Sequence, residues 1–172
     1  MKKIVCLALL IGVIVFGRQM TSDQIEEVNG IVFEKGKTRA FTGVVRDLSE
    51  NKKIKMENNY KFGKLDGKTI GYHDNGALAH ESNYRNGKLE GIVKDYHDNG
   101  AVAHEATYKN GELNGISKYY YKNGQVAEEC NYKNGKEDGV FRGYSESGKM
   151  TLEETWKNGE LTEAMLNGKK KK

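Results

Sequence analysis

The sequence predicts an all-β protein, an extended single-layer antiparallel stack of β-hairpins with a period of 24 residues. The first observation is self-similarity, because nearly the same segment begins at Tyr60, Tyr84, Tyr108 and Tyr132, and Trp156 opens a truncated copy. The second is the fixed position of glycine within each copy, which leaves no window long enough for a stable helix. A unit this small cannot bury its apolar side alone, so the copies must stack on one another.

Two chain reversals per repeat are marked by Asn-Gly pairs. Both residues tolerate positive φ, so two such sites separated by short β-prone runs predict two strands per repeat. About ten strands would then form a ribbon on the order of 50 Å long. The pairs and their substitutes are Phe62-Gly63, Asn75-Gly76, Asn86-Gly87, Asn99-Gly100, Asn110-Gly111, Asn123-Gly124, Asn134-Gly135, Ser147-Gly148 and Asn158-Gly159.

The length of the turn at Asn75-Gly76 decides which side chains share a face of the sheet. A two-residue loop would send Tyr72 and Leu78 to opposite faces, whereas a type I turn closed by a glycine bulge, with a three-residue loop, puts them on one face. The three-residue loop is favoured because it gives every hairpin an apolar face. The column that contains Tyr84 has the same parity as Leu78, so we expect it on that face too.

Residues 1–17 have the pattern of a secretory signal peptide. Lys2 and Lys3 precede a 13-residue apolar run over residues 4–16, and Gly17 follows it as a small residue. The run is short for a membrane span. We therefore predict export to the periplasm, the cell surface or beyond, and the alternative is a protein anchored in the membrane by an uncleaved N-terminal segment.

The remaining chain divides into five segments. Residues 18–24 are polar and predict a flexible lead-in, and residues 25–59 predict a capping hairpin that starts the sheet, followed by an irregular repeat. Residues 60–155 form four regular repeats, residues 156–166 a truncated terminal repeat that ends in an edge strand, and residues 167–172 a basic tail. Irregular end units are expected because the first and last repeats must cap the stack.

The formal charge of +4 is concentrated at the two ends of the chain. Removing the six lysines at those ends from the 28 basic residues leaves 22 basic against 24 acidic side chains in residues 18–168. This near-neutral body lacks the basic footprint of a nucleic-acid-binding protein. After removal of a signal, Cys130 is the single cysteine, which excludes an internal disulfide and favours a packing role.

The histidines and glutamates are candidates for metal binding or acid–base chemistry, and for each set a solvated repeat position is the simpler explanation. A zinc site is disfavoured because His73 and His97 would lie about 10 Å apart and His73 and His80 on opposite faces. Later copies replace the histidines with Tyr121, Glu128, Ser145 and Leu152. We expect solvated repeat positions for the histidines and a solvated face for the glutamate column, and we predict no metal, no cofactor and no catalytic residue. The histidines are His73, His80, His97 and His104, and the glutamates are Glu57, Glu81, Glu105, Glu129 and Glu153.

The strings YKNGKEDG, YRNGKLEG and YYKNGQVAEECNYKNG resemble MORN-type repeats, in the bacterial variant with Asn-Gly at both turns. The resemblance covers residues 25–166. It implies an extended antiparallel hairpin stack, a MORN-like meander, whose repeat carries no catalytic motif. Bacterial members are often labelled as toxin–antitoxin or immunity partners, whereas eukaryotic relatives are associated with membranes and scaffolding.

The tyrosine columns are the predicted partner-binding site, because aromatic side chains on a sheet with charged rims suit protein contacts. The alternative is that these rings only brace the sheet. We predict a non-enzymatic scaffold for protein–protein interaction. The alternatives are an antitoxin or immunity protein that neutralises a toxin, and a peripheral membrane module that touches anionic lipid through Lys169, Lys170, Lys171 and Lys172. The predicted partner-binding residues are Tyr72, Tyr96, Tyr119, Tyr120, Tyr121 and Tyr144.

Overall fold

The computed structural model describes residues 18–166 together with the backbone of residues 169–170, so the predicted signal peptide lies outside the described residues. One 15-stranded sheet dominates, and a separate two-stranded sheet lies near its start. Within the described part of the chain there is no α-helix, and a single 3-10 turn spans Ser22–Gln24. The predicted all-β stack of antiparallel hairpins is confirmed.

Each strand of the large sheet pairs antiparallel with the next strand in the sheet, except that the first two pair in parallel and two short strands pair only with the strand before them. The strands are β1 (Arg18–Thr21), β2 (Ile25–Val28), β3 (Ile31–Glu34), β4 (Gly43–Leu48), β5 (Ile54–Lys61), β6 (Lys64–Tyr72), β7 (Leu78–Arg85), β8 (Lys88–Leu89), β9 (Gly91–Tyr96), β10 (Val102–Lys109), β11 (Glu112–Tyr120), β12 (Val126–Lys133), β13 (Lys136–Glu137), β14 (Gly139–Tyr144), β15 (Met150–Lys157), β16 (Glu160–Leu166) and β17 (Lys169–Lys170).

The two Asn-Gly sites of a repeat form two different turns. At the first, Asn86 and Gly87 both have positive φ, 50° and 80°, as a two-residue type I′ turn requires. At the second, only Gly76 has positive φ (85°), and its N–H donates to the carbonyl of His73 at 2.8 Å. This is a three-residue loop closed by a glycine bulge.

The predicted pairing of Tyr72 with Leu78 is confirmed, but the predicted placement of Tyr84 on their face is wrong. Gly71 pairs with His80, which leaves one extra residue on β7 between Leu78 and His80. Such a bulge reverses the facing of every later residue on its strand. The column of Tyr84 therefore lies on the face opposite to Tyr72.

Burial separates the two faces of the sheet. In the strands of the large sheet as far as residue 166, all of the buried side chains project from the face that also carries Tyr84, which we call the core face. The opposite face carries the column of Tyr72, and we call it the tyrosine face. The buried side chains of the core face are Val45, Thr69, Ser82, Val93, Ala106, Ser117 and Cys130.

The N-terminal end departs from the sequence prediction in two ways. Residues 18–24 are not a flexible lead-in, because β1 pairs in parallel with β4. The hairpin of β2 and β3 does not start the large sheet but forms its own two-stranded sheet. It docks there because Val32 packs with Phe41 and Val45 in a small apolar cluster, and the N–H of Val32 donates to the carbonyl of Gly63 at 2.9 Å.

The C-terminal end contains the strand that the sequence predicts for the truncated repeat. The predicted last strand is present as β16, which pairs with β15. It is not the final edge, because the backbone of Lys169 and Lys170 pairs with Met165 and Leu166 as the short strand β17. Lys171 and Lys172, also predicted to contact lipid, lie outside the described residues.

Candidate interaction face

The tyrosine face consists of three parallel bands that run across the strands. The aromatic band alternates the column of Tyr72 with that of Leu78. The charge ladder alternates the glutamate column with Arg46, Lys94, Lys118 and Arg142, and Ile70 takes the place of a basic residue on β6. The isoleucine band carries Ile92 and Ile116 beside Thr107 and Asn131. Cross-strand neighbours of this kind are the unit of sheet stabilisation, so each band is continuous from repeat to repeat.

The charge ladder is internally paired. The Arg142 guanidinium donates from Nε to Glu153 Oε2 at 2.9 Å and from Nη1 to Glu129 Oε1 at 3.3 Å. Lys94 Nζ lies 3.0 Å from Glu105 Oε2. The bond from Lys68 holds the pKa of Glu81 below its usual value. The glutamate column is therefore a set of ion pairs and not the merely solvated row that the sequence predicted.

The tyrosine hydroxyls bond to this ladder. Tyr96 donates to Glu81 Oε2 at 2.8 Å, and Tyr144 donates to Glu129 Oε1 at 3.2 Å. Burial, followed by the bond to Glu81, raises the pKa of Tyr96 to about 12. These rings are half-buried and held in place, so the aromatic band offers an ordered surface.

The six tyrosines predicted to bind a partner do not all lie together. Tyr72, Tyr96, Tyr120 and Tyr144 are on the tyrosine face. Tyr119 is on the core face, stacked on His104 with ring centroids 4.2 Å apart. Tyr121 lies at a turn and donates to the carbonyl of Tyr144 at 2.7 Å, so it links two repeats.

Sequence analysis placed the columns of Tyr72 and Leu78 on one face but missed the exposed isoleucines of that face. Ile92 is 48% exposed and Ile116 49% exposed, although both lie in strands. The signal was present as a column at the period of 24, in which Ile92, Ile116 and Val140 replace Lys68. The exposed aliphatic residues of the face are Leu48, Ile54, Ile92, Ile116 and Met150.

The histidines of the core face form a hydrogen-bonded chain, contrary to the prediction that they are solvated. His80 Nδ1 lies 2.7 Å from Asp95 Oδ1 and its Nε2 lies 2.9 Å from Ser82 Oγ. His104 Nδ1 lies 3.2 Å from Asp95 Oδ2 and its Nε2 lies 3.0 Å from Ser117 Oγ. One carboxylate thus joins the imidazoles of two repeats, and each imidazole covers a small serine below it.

This chain has the residue order of two Ser-His-Asp triads, yet its serines are not placed for nucleophilic attack. Ser82 is fully buried and Ser117 is 6% exposed, so neither hydroxyl faces a substrate. In the ranges that the structure describes, no three His, Cys, Asp or Glu side chains are grouped to hold a metal ion. This hydrogen-bonded chain of histidine, serine and aspartate side chains braces the sheet.

The other two histidines link neighbouring repeats at the turns. His73 Nε2 lies 2.8 Å from the carbonyl oxygen of Tyr96, and His97 Nε2 lies 2.9 Å from that of Tyr120. Tyr121 makes the equivalent bond in the next repeat, which explains why a tyrosine can replace a histidine in this column. These bonds correct the prediction of solvated positions at His73 and His97.

A search of curated proteins gives no match. Two solved structures of TarM, one from S. aureus as a mutant in complex with Fondaparinux, alpha-GlcNAc-glycerol and UDP, match with 10% sequence identity and a TM-score of 0.37. The alignments cover 59% and 64% of this chain, which spans only 20% and 21% of those chains. No helix in the described ranges is long and apolar enough to cross a membrane.

The family model described as a MORN repeat variant matches four tandem segments, at residues 65–86, 89–110, 113–134 and 137–158. These segments cover the regular repeats and make up half of the chain. MORN repeats are non-enzymatic scaffolds that generally serve as modules for interaction with proteins or membranes. The protein belongs to the family of the MORN repeat variant.

Proposed function

We propose that the protein is a binding scaffold whose tyrosine face docks another protein. One observation carries the proposal: the buried side chains of the large sheet all project from the core face, and the tyrosine face has none in the described chain. Packing within the sheet therefore does not account for the ordered aromatic and aliphatic residues of the tyrosine face.

The chemistry of the face favours a protein partner. Half-buried tyrosines such as Tyr144 lie beside exposed aliphatic residues such as Met150, and the exposed isoleucine band runs along the other side of the charge ladder. A mixture of this kind is typical of the centre of protein interfaces. The lysines and arginines of the charge ladder are already neutralised by glutamates, so the middle of the face has no surplus charge for nucleic acid.

The test compares the two faces with matched substitutions. The double variant Ile92→Ser and Ile116→Ser removes apolar side chains that are about half exposed, so folding should be unchanged and partner capture lost. The control is Tyr119→Ser, an equally exposed side chain on the core face (49%), which should keep the partner. Capture is measured by pull-down from an extract of the native cell followed by mass spectrometry, with circular dichroism as the folding check.

A protein that is captured equally by both variants would overturn the proposal, because its binding would not depend on the tyrosine face. Loss of folding in the double variant would also count against it, since it would show that the isoleucine band is structural.

Export is a further part of the proposed function. It is supported by the apolar run over residues 4–16 after Lys2 and Lys3. N-terminal sequencing of the protein recovered from its native cell should start after residue 17. A protein that begins at Met1 and is recovered with the membrane would support the anchored alternative.

A further inference from the structure

The type I′ turns bring a row of cations to one edge of the sheet. Successive turns lie side by side, because the N–H of Gly87 donates to the carbonyl of Leu65 at 2.7 Å and that of Gly111 to Leu89 at 2.8 Å. The residues that flank each turn are paired across it, as Arg85 is with Lys88. Strand alternation places these flanking side chains on the tyrosine face. The cations are Lys61, Lys64, Arg85, Lys88, Lys109, Lys133, Lys136 and Lys157.

Seven of these eight cations form no ion pair with any described residue, and we call those seven, all except Lys157, the basic rim. Lys157 pairs with Asp138 at 3.1 Å. The nearby carboxylates of Asp66 and Glu90 instead accept the backbone N–H groups of Asn86 and Asn110, at 3.0 and 2.9 Å. The basic rim thus contrasts with the charge ladder, where each lysine and arginine is paired with a glutamate.

The basic rim adjoins the isoleucine band on the same face. Lys88 precedes Ile92 along the chain, whereas Glu112 precedes Ile116, so the row of cations, with this one acidic residue in it, borders a row of exposed apolar side chains. Of the ten residues that flank these five turns, eight are cations and two, Glu112 and Glu160, are acidic, so a nearly neutral chain presents a positively charged edge.

Resting on the proposed docking role of the tyrosine face, we propose that its partner contributes an acidic amphipathic helix that lies along the basic rim. Each repeat adds two strands, so equivalent turns recur about every 10 Å. A helix advances about 10.5 Å in seven residues and returns to nearly the same face. Carboxylates at a seven-residue spacing can therefore meet successive turns, while apolar residues beside them contact Ile92 and Ile116.

The probe is a synthetic three-heptad helical peptide with glutamate toward the basic rim and leucine beside it. Its binding to the full chain is measured by fluorescence anisotropy at low and high salt. The rim variant is Lys64→Gln, Lys88→Gln and Lys136→Gln, three side chains whose β-carbons lie next to the glycine of the following turn. The control variant is Lys53→Gln, Lys55→Gln and Lys149→Gln, which removes the same charge from exposed lysines near the opposite edge.

We expect the rim variant to bind the peptide about tenfold more weakly and the control variant to bind it normally, with an affinity that falls as salt increases. A lysine version of the peptide should not bind. Equal weakening by both variants, or equal binding of a scrambled acidic peptide or of anionic vesicles, would overturn the proposal, because the rim would then be a general polyanion site.

The two proposals fail separately. If the protein captured from the native cell is lost with Ile92→Ser and Ile116→Ser but kept with the rim variant, the tyrosine face still docks a protein and the acidic-helix inference is wrong. If neither set of substitutions affects capture, the docking role of the face is wrong as well.

Discussion

The two faces of the sheet use the same strands and the same period for different purposes. The core face has small buried side chains and a hydrogen-bonded chain of histidines, serines and Asp95. The tyrosine face has larger side chains, none of them buried in the described sheet, and the charges along its middle are paired in a ladder. The comparison shows that the buried packing of this single-layer sheet lies on one side only, within the described strands.

The largest effect is expected from overpacking the core face. Ala106 is fully buried, so Ala106→Leu should lower the free energy of unfolding by about 1–3 kcal/mol. The control is Thr107→Leu, the next residue along β10, which lies on the tyrosine face and should change stability by less than about 0.5 kcal/mol. Urea unfolding followed by circular dichroism measures both. Equal losses would show that the faces do not differ in packing.

A smaller effect is expected from Asp95→Ala, which removes the carboxylate shared by His80 and His104. Two half-buried imidazoles then lose a hydrogen-bond partner, which should cost about 1–2 kcal/mol in the same unfolding experiment. The counterpart on the tyrosine face is Lys94→Ala, where solvent screens the ion pair with Glu105. We expect Lys94→Ala to lower the free energy of unfolding by at most about 1 kcal/mol. A larger loss than for Asp95→Ala would show that the tyrosine face, and not the core face, braces the sheet.

The smallest effect concerns two tyrosines with pKa values raised to about 12, one on each face. Burial is the main cause for Tyr96, followed by Glu81, and burial is also the main cause for Tyr132, followed by Cys130 and Glu137. Glu81→Gln should therefore lower the pKa of Tyr96 part of the way towards 10 and leave that of Tyr132 unchanged. Ultraviolet titration of the phenolate detects the change. Glu137→Gln should lower the pKa of Tyr132 and leave that of Tyr96 unchanged.

These raised pKa values also determine how the stability of the protein changes at alkaline pH. An unfolded tyrosine ionises near pH 10, whereas the folded Tyr96 and Tyr132 hold their protons until about pH 12. The stability that they contribute is complete below pH 10 and is lost as the pH rises to about 12. Stability that increased over this interval would contradict the assignment of both groups.

The sequence predicted the repeat, its two reversals and the pairing of Tyr72 with Leu78, because turn chemistry and column composition are local signals. It did not predict the bulge in β7, since no residue type marks a backbone irregularity that depends on cross-strand pairing. That omission placed Tyr84 on the wrong face. For the same reason the sequence did not show that the two faces differ in burial, because the bulge changes which columns of residues share a face.

The parts of the candidate site that escaped prediction depend on contacts between repeats. The histidines were expected in solvent because their partners, such as Asp95 and the carbonyl of Tyr96, lie on other strands. The position of β1 beside β4 depends in the same way on pairing with a distant strand. The basic rim was concealed by the neutral total charge, which does not reveal where the unpaired cations are.

The bonds that join neighbouring repeats span short stretches of chain. His73 reaches the carbonyl of Tyr96, Asn75 that of Asp98 and Asn123 that of Glu146, each 23 residues further on. Folding can therefore begin at any internal unit and spread to either side, as in other linear arrays. The central units are supported from both sides and the end units from one, so local opening should start at the ends and leave the middle of the ribbon intact.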